Sequence, residues 1–302
     1  SGDTVAYLTD IKNKKVQNGA IFIAWRKDTE NWKRHISEIR LDSVSCKARN
    51  AKMSFIDSNT LAIAFLTNNA FFSIYRLKNK TAEFLAQIGL GEHANPNLFE
   101  IISKDTIWCG TDDARIEVYK KNTLGNWSKE TTYTQPEPKI ESTPAVPSKI
   151  DTILEISSNG TAVGYEKITA QNQNPFFNVM LWDAEKGKMG FQTPISNLLA
   201  AKFSPEGNRI AILHTREKDP SQLRVMIIDI DGKYCFSVLK TPAVGKPRIF
   251  WHDHTNKLFL KNISTGSHGI VEIPYANLGL ANVLHIKEED HSQQKAEVSD
   301  AN

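Results

Sequence analysis

The sequence predicts an all-β protein made of repeated four-stranded antiparallel sheets, and three observations carry that expectation. Short apolar runs rich in β-branched residues recur throughout the 302 residues, separated by Gly, Pro, Asp and Asn clusters. The runs fall into groups of four, and the groups recur at intervals of roughly 45 to 50 residues. One stretch, Ala200 to Val238, shows the unit undiluted. There Ala201–Ser204 leads through a Pro-Glu-Gly-Asn turn into Arg209–His214, then a polar loop, Leu223–Ile230, an Asp231-Gly232 hairpin and Tyr234–Val238.

The other units align on this one. First strands and their turns occur at Ser54–Asn59, Glu100–Asp105, Glu155–Gly160, Lys202–Gly207 and Phe250–Thr255. Second strands follow at Leu61–Phe65, Thr106–Cys109, Thr161–Tyr165, Arg209–Leu213 and Lys257–Leu260. Third strands are Ala20–Arg26, Phe71–Arg76, Arg115–Lys120, Asn178–Asp183, Arg224–Asp229 and Gly269–Pro274, with one bulky position held in turn by Trp25, Tyr75, Tyr119, Trp182, Ile228 and Ile273. Large side chains at strand positions are read as core. Fourth strands are Trp32–Leu41, Glu83–Ile88, Trp127–Tyr133, Met189–Thr193, Tyr234–Val238 and Val283–Ile286.

A small sheet with two apolar faces needs cover on both sides, and radial stacking supplies it while shortening exposed edges. The expected architecture is therefore a β-propeller of four-stranded blades over residues 1–287, with six blades at about 4–41, 51–88, 97–133, 151–193, 199–239 and 247–287. Seven blades is the alternative, because the first unit shows only its last three strands. Residues 134–149 carry four prolines and read as an extended connection, and the polar tail 288–302 reads as disordered. The chain is also read as a domain of a larger protein.

The repeats resemble those of WD40-type β-propellers. Ala201-Lys202-Phe203-Ser204-Pro205-Glu206-Gly207 is similar to that family's first strand and turn, and Gly110-Thr111-Asp112-Asp113 before Arg115–Tyr119 is similar to its second-to-third crossing. Leu181-Trp182-Asp183 resembles the Trp-Asp ending. The likeness runs through all repeats but is degenerate: Trp-Asp occurs in one unit, and no Gly-His dipeptide precedes a first strand. The resemblance implies a rigid interaction scaffold without the family's Asp-His-Ser/Thr-Trp hydrogen-bond network.

Composition excludes several classes. With 37 basic and 34 acidic residues the net charge is +3, too balanced for a chain dominated by phosphate contacts. Cys46, Cys109 and Cys235 form no CxxC, so neither a disulfide framework nor a zinc knuckle is indicated, and an intracellular, cytoplasmic setting is expected. No apolar run reaches the roughly 18 residues of a membrane helix. GxSxG, Walker-type loops and GxGxxG are absent, and no cofactor or metal site is expected. His252-Asp253-His254 is the most suggestive cluster, yet alternating residues of an extended segment point apart.

Function is therefore expected in binding. The longer polar connections, Asp10–Asn18, Asp42–Asn50, Gly91–Pro96, the proline-rich 134–149, Lys167–Pro175 and Thr215–Ser221, fall on one side of the repeat, and insertions gathered on one face mark a binding face. Lys12, Lys14, Lys15, Arg49, Gln171, Asn172, Arg216 and Lys218 are the candidate contacts there for a protein or peptide. A phosphoinositide headgroup is a second ligand for such a basic patch. Nucleic acid is disfavoured, since no aromatic is interleaved among Lys12–Lys15. Glu100, Glu155 and Lys202, at equivalent first-strand positions, are candidate channel residues, and the alternative function is a propeller hydrolase using them at the channel mouth. The leading expectation is a non-enzymatic protein-interaction scaffold.

Overall fold

The computed structural model describes residues 4–13, 16–25, 37–40, 51–65, 71–78, 81–136, 149–169, 175–216, 219–230, 235–242, 247–252, 257–264 and 267–273. The chain divides into two compact units, Ser1–Thr134 and Gln135–Asn302. Every regular element among the described residues is a strand.

The first unit contains three sheets. β1 (Thr4–Asn13), β2 (Val16–Trp25) and β3 (Ser37–Arg40) form a three-stranded sheet in chain order. β4 (Ala51–Asp57), β5 (Thr60–Phe65), β6 (Phe71–Lys78) and β7 (Thr81–Gly89) form the next. β8 (Ala94–Ser103), β9 (Thr106–Thr111), β10 (Ile116–Lys121) and β11 (Trp127–Tyr133) form the third. All pairings are antiparallel between consecutive strands, the meander expected of a propeller blade.

The second unit repeats the pattern. β12 (Thr152–Ile156), β13 (Thr161–Ile168), β14 (Phe176–Asp183) and β15 (Lys188–Ile195) form one sheet. β16 (Asn197–Phe203), β17 (Arg209–Arg216), β18 (Asp219–Asp229) and β19 (Cys235–Pro242) form another, and β20 (Arg248–His252), β21 (Lys257–Ser264) and β22 (Ser267–Ile273) make a three-stranded sheet.

Among the described residues four sheets thus carry the full four strands of a blade, short of the six or seven blades expected. The fourth strand expected for the last sheet, Val283–Ile286, lies outside the described residues, as do the tail 288–302 and residues 137–148 of the proline-rich connection. The first sheet departs from expectation in a different way. Asp10–Asn18 was expected as a loop, but Asn13 pairs with Val16 and the ladder runs from there to Thr4 opposite Trp25. β1 is an edge strand, where polar and lysine side chains are favoured because they discourage pairing with another chain. A polar edge strand therefore looks like a loop in sequence. Thr215–Ser221 likewise belongs mostly to strands, with Arg216 opposite Asp219.

The sheets of each unit stack on apolar faces. In the first unit Ala62, Phe72, Ile74, Ile88, Phe99, Ile107, Cys109 and Tyr119 make one cluster between the second and third sheets. Phe72 meets Phe99 and Tyr119 edge-on, at 5.2 and 5.9 Å between ring centroids. In the second unit Val163, Leu181, Ala201, Phe203, Ile210 and Ile228 join two sheets, and Leu213, Val225, Ile249, Trp251 and Leu258 join the next pair. Tyr119, Trp182 and Ile228, three of the aligned bulky positions, are all buried as the repeat predicts. Each such side chain contributes on the order of 1.5–3 kcal/mol by its removal from water.

Turn chemistry fixes the spacing. Gly160 and Gly207 close equivalent first-to-second turns with φ of 83° and 69°, and their N–H groups donate to Ser157 and Ser204 carbonyls at 3.0 and 2.8 Å. The two turns are also laced together. Asn159 Nδ2 donates to the Gly207 carbonyl at 2.8 Å, and Ser158 Oγ donates to the Pro205 carbonyl at 3.3 Å.

Candidate functional site

Two of the three channel candidates meet. Glu155 on β12 accepts from Lys202 Nζ on the neighbouring first strand β16, and its second oxygen accepts the Phe203 N–H at 2.7 Å. The Lys202 carbonyl in turn accepts from Trp251 Nε1 of β20 at 3.0 Å. The three first strands of the second unit are therefore fastened side by side by one carboxylate, one ammonium and one indole. Both Glu155 oxygens are engaged in that clasp, which makes it a positioning device between sheets. Glu100 lies in the first unit, half-buried on β8 opposite Trp108. Beside it, Lys52 of β4 donates to the Phe99 carbonyl at 2.7 Å and stands 5.0 Å over the Phe99 ring.

A second acid is more deeply held. Glu117 of β10 is 6% exposed and accepts from Tyr119 Oη at 2.5 Å, Lys129 Nζ at 2.5 Å and the Gly91 N–H at 3.2 Å. Burial alone would raise its pKa, but the hydrogen bonds from Lys129 and Tyr119 outweigh it and hold the carboxyl below the usual range. Burial, then the hydrogen bond to Glu117, push the Tyr119 hydroxyl up. The nearby Cys109 thiol is raised chiefly by burial, so it is an inert packing residue. These groups are structural: each is tied to a neighbour.

The loop-side candidates are separated by what the structure describes. Lys12 lies on strand β1, Arg216 ends β17 with its side chain exposed, and Lys14, Lys15, Arg49, Gln171, Asn172 and Lys218 lie outside the described residues. Asp253 and His254 also lie outside them, and His252 ends β20. No group of three or more His, Cys, Asp or Glu that could hold a metal occurs among the described residues.

The cavity that sequence reasoning missed is in the first unit, on the short-turn side. A groove of about 930 Å³ opens between the second and third sheets. Ile56, Ile74, Ala86 and Trp127 of their shared core line it, with Leu77 and the exposed Leu85 beside them. Arg76 and Lys78 from β6, Lys104 from the β8–β9 turn and Lys121 from the end of β10 supply the charge. Asp57 is the one acid in the lining, and its Oδ1 already caps the Asn59 N–H at 2.8 Å. A groove lined by both apolar and basic side chains suits an anionic ligand with an apolar part. The lining is drawn from five separate stretches of chain, so only the fold assembles it.

No protein-family model and no curated protein matches this chain. Among solved structures it is similar to the β-propeller domain of the Trilobed protease from Pyrococcus furiosus, described as having an open velcro topology. The two are 15% identical, with a TM-score of 0.54 over 91% of this chain and 80% of that one. It is also similar, at TM-scores of 0.48 and 0.49, to an oligogalacturonate lyase in complex with manganese (12% identical, 90% of this chain and 71% of that) and to a chain of the COPII outer coat vertex on membranes (10%, 90% and 73%). The first likeness identifies the fold as a β-propeller, so the resemblance to WD40-type repeats stands as one of fold. At these identities none of the three assigns an activity.

Proposed function

We propose that this chain is a non-enzymatic protein-interaction module, a WD40-like propeller acting as a scaffold domain within a larger intracellular protein, with 1–287 as the propeller and 288–302 as its tail. The observation that carries this reading is the groove between the second and third sheets, an open site with an apolar and basic lining. Glu155, one of the two acids that the hydrolase alternative would use, is committed to the Lys202 ion pair and to the Phe203 N–H. Lys12, Lys14, Lys15 and Arg49 in the first unit, and Gln171, Asn172, Arg216 and Lys218 in the second, are kept as further proposed partner contacts, each within its own unit.

The test is panning of a random peptide library on the full 302-residue chain, with Arg76→Glu/Lys121→Glu as counter-selection. Enriched peptides that bind the native chain and lose at least about tenfold on the variant support the reading, since truncating or reversing a central contact carries most of an interface's energy. No enrichment, or enrichment indifferent to both the groove and the Arg216 side, sinks it.

A further inference from the structure

We propose that the groove takes an extended acidic peptide with one bulky apolar anchor. The anchor seats against Trp127, Ile74 and Leu85, and carboxylates on either side of it meet Arg76, Lys104 and Lys121. This rests on the interaction-module reading above and specifies its partner.

The charge is the first support. Three other surface cations described in this unit are matched: Arg115 with Asp113 at 2.5 Å, Lys120 with Glu130 at 2.6 Å, Lys129 with Glu117 at 2.5 Å. Arg76, Lys104 and Lys121 make no ion pair among the described residues, although all three line one groove. Glu83 lies across the β6–β7 ladder from Arg76 but outside ion-pair distance. Unmatched like charges gathered on one concavity focus its field and favour an anion.

The second support is Leu85. In the β6–β7 ladder Ile74 faces Ala86 and Tyr75 faces Phe84, so Leu85 is the extra residue of a bulge. It is 38% exposed and lines the groove. The next sheet bulges at the same place, where Val118 faces Thr131 and Tyr119 faces Lys129, and there the extra residue is Glu130, salt-bridged to Lys120. One sheet fills the position with an ordinary surface ion pair; the other spends it on an exposed leucine beside three unpaired cations. Leucine there is explained by an apolar partner.

Size and shape select a peptide. A volume of about 930 Å³ is at the upper end for ligand pockets and holds a few side chains of an extended chain rising about 3.3 Å per residue. The lining is drawn from two neighbouring sheets, a concavity that suits side chains better than a flat bilayer. Trp127 is half-buried as part of that lining, and no ladder of exposed rings lines the groove for base stacking.

The test is fluorescence anisotropy with the full chain and a labelled peptide of Asp-Asp-Leu-Phe-Asp-Asp core. Comparison peptides replace the acids by Asn or the Leu-Phe pair by Ala-Ala, and phosphatidylserine vesicles, single-stranded DNA and inorganic phosphate are run alongside. The proposal expects saturable binding that weakens about tenfold with either comparison peptide and with Arg76→Glu/Lys121→Glu. Leu85→Glu, which copies the neighbouring sheet, should weaken it comparably while leaving thermal stability unchanged. Raising salt from 50 to 300 mM should weaken binding several-fold by screening. Equal binding of the Asn peptide, or indifference to Leu85→Glu, overturns the acidic-anchor assignment. Vesicle or DNA binding without peptide binding overturns it in favour of that ligand. Library peptides of neutral or basic character that still map to the groove would overturn the assignment alone and leave the interaction module standing. A native chain that selects no peptide at all removes both.

Discussion

Gly91→Ala gives a sharp test of how the second and third sheets are held together. A Cβ at position 91 would stand 2.3 Å from Glu117 Oε1, 2.8 Å from Oε2 and 2.9 Å from Cδ. The end of a loose glutamate would swing aside at little cost. This carboxylate is pinned by Lys129, Tyr119 and the Gly91 N–H itself, in a side chain only 7% exposed. Moving it breaks at least two charge-assisted hydrogen bonds of about 1.5–3 kcal/mol each. Because the Lys129 side chain is 45% exposed, its share is discounted toward the surface-pair range. The net expectation is a loss of about 3 kcal/mol, read as a drop in the urea midpoint at unchanged slope. The double-mutant cycle with Glu117→Ala isolates the cause: in that background Gly91→Ala should cost under about 1 kcal/mol, because the obstructing group is gone. A Gly91→Ala chain within about 0.5 kcal/mol of native, or full additivity with Glu117→Ala, would refute the account.

Three further outcomes follow from the second unit. His214 is buried with Nε2 unpartnered, and its pKa is lowered by burial first and by Arg224 and Arg216 after the opposing Thr215 backbone contact. The folded state therefore binds fewer protons than the unfolded one just below the ordinary histidine pKa near 6.5, so stability is fully present above that pH and falls as pH drops below it. Urea titrations from pH 7.5 to 5 should show this decline, and His214→Gln should flatten it; an unchanged profile would remove His214 as the cause. Gly207→Ala places a side chain at φ 69° with its Cβ 3.0 Å from Asn159 Cγ, and should cost about 1–2 kcal/mol in the same assay. Glu155→Gln keeps an acceptor for the Phe203 N–H and loses the charge opposite Lys202. With Lys202 45% exposed the loss should be about 1 kcal/mol and shrink in 1 M salt; a loss of several kcal/mol that salt does not touch would contradict a solvent-screened clasp.

Much of the fold was legible because its rules are local. Pro205-Glu206-Gly207 names its own turn, and the alternating runs around it give strands in the positions observed. The aligned Tyr119, Trp182 and Ile228 proved to be core because a repeated large residue on a two-faced sheet has little else to do. What failed was the reading of polarity as loop. Asp10–Asn18 and Thr215–Ser221 are polar because their strands lie at an edge or extend beyond the core, and backbone pairing does not require apolar side chains. Glu155 and Lys202 were picked from equivalent positions, yet their pairing needed the sequence-distant strands β12 and β16 set side by side. The groove was invisible for the same reason: only the ladder registers, with their bulges, set Leu85 against Glu130, a large apolar residue where the neighbouring sheet carries a charge.

That recurring bulge has a consequence for substitution. In the sheets ending in β7, β11 and β19 the outer ladder skips one residue: Leu85, Glu130 and Val238 in turn. A skipped residue is released from the alternation that ties every other strand position to core or solvent. It can be exchanged for an acid, an aliphatic or an aromatic side chain without re-registering the strand. Each of these three sheets therefore carries one position at which the side-chain chemistry can change while the ladder on either side of it is kept.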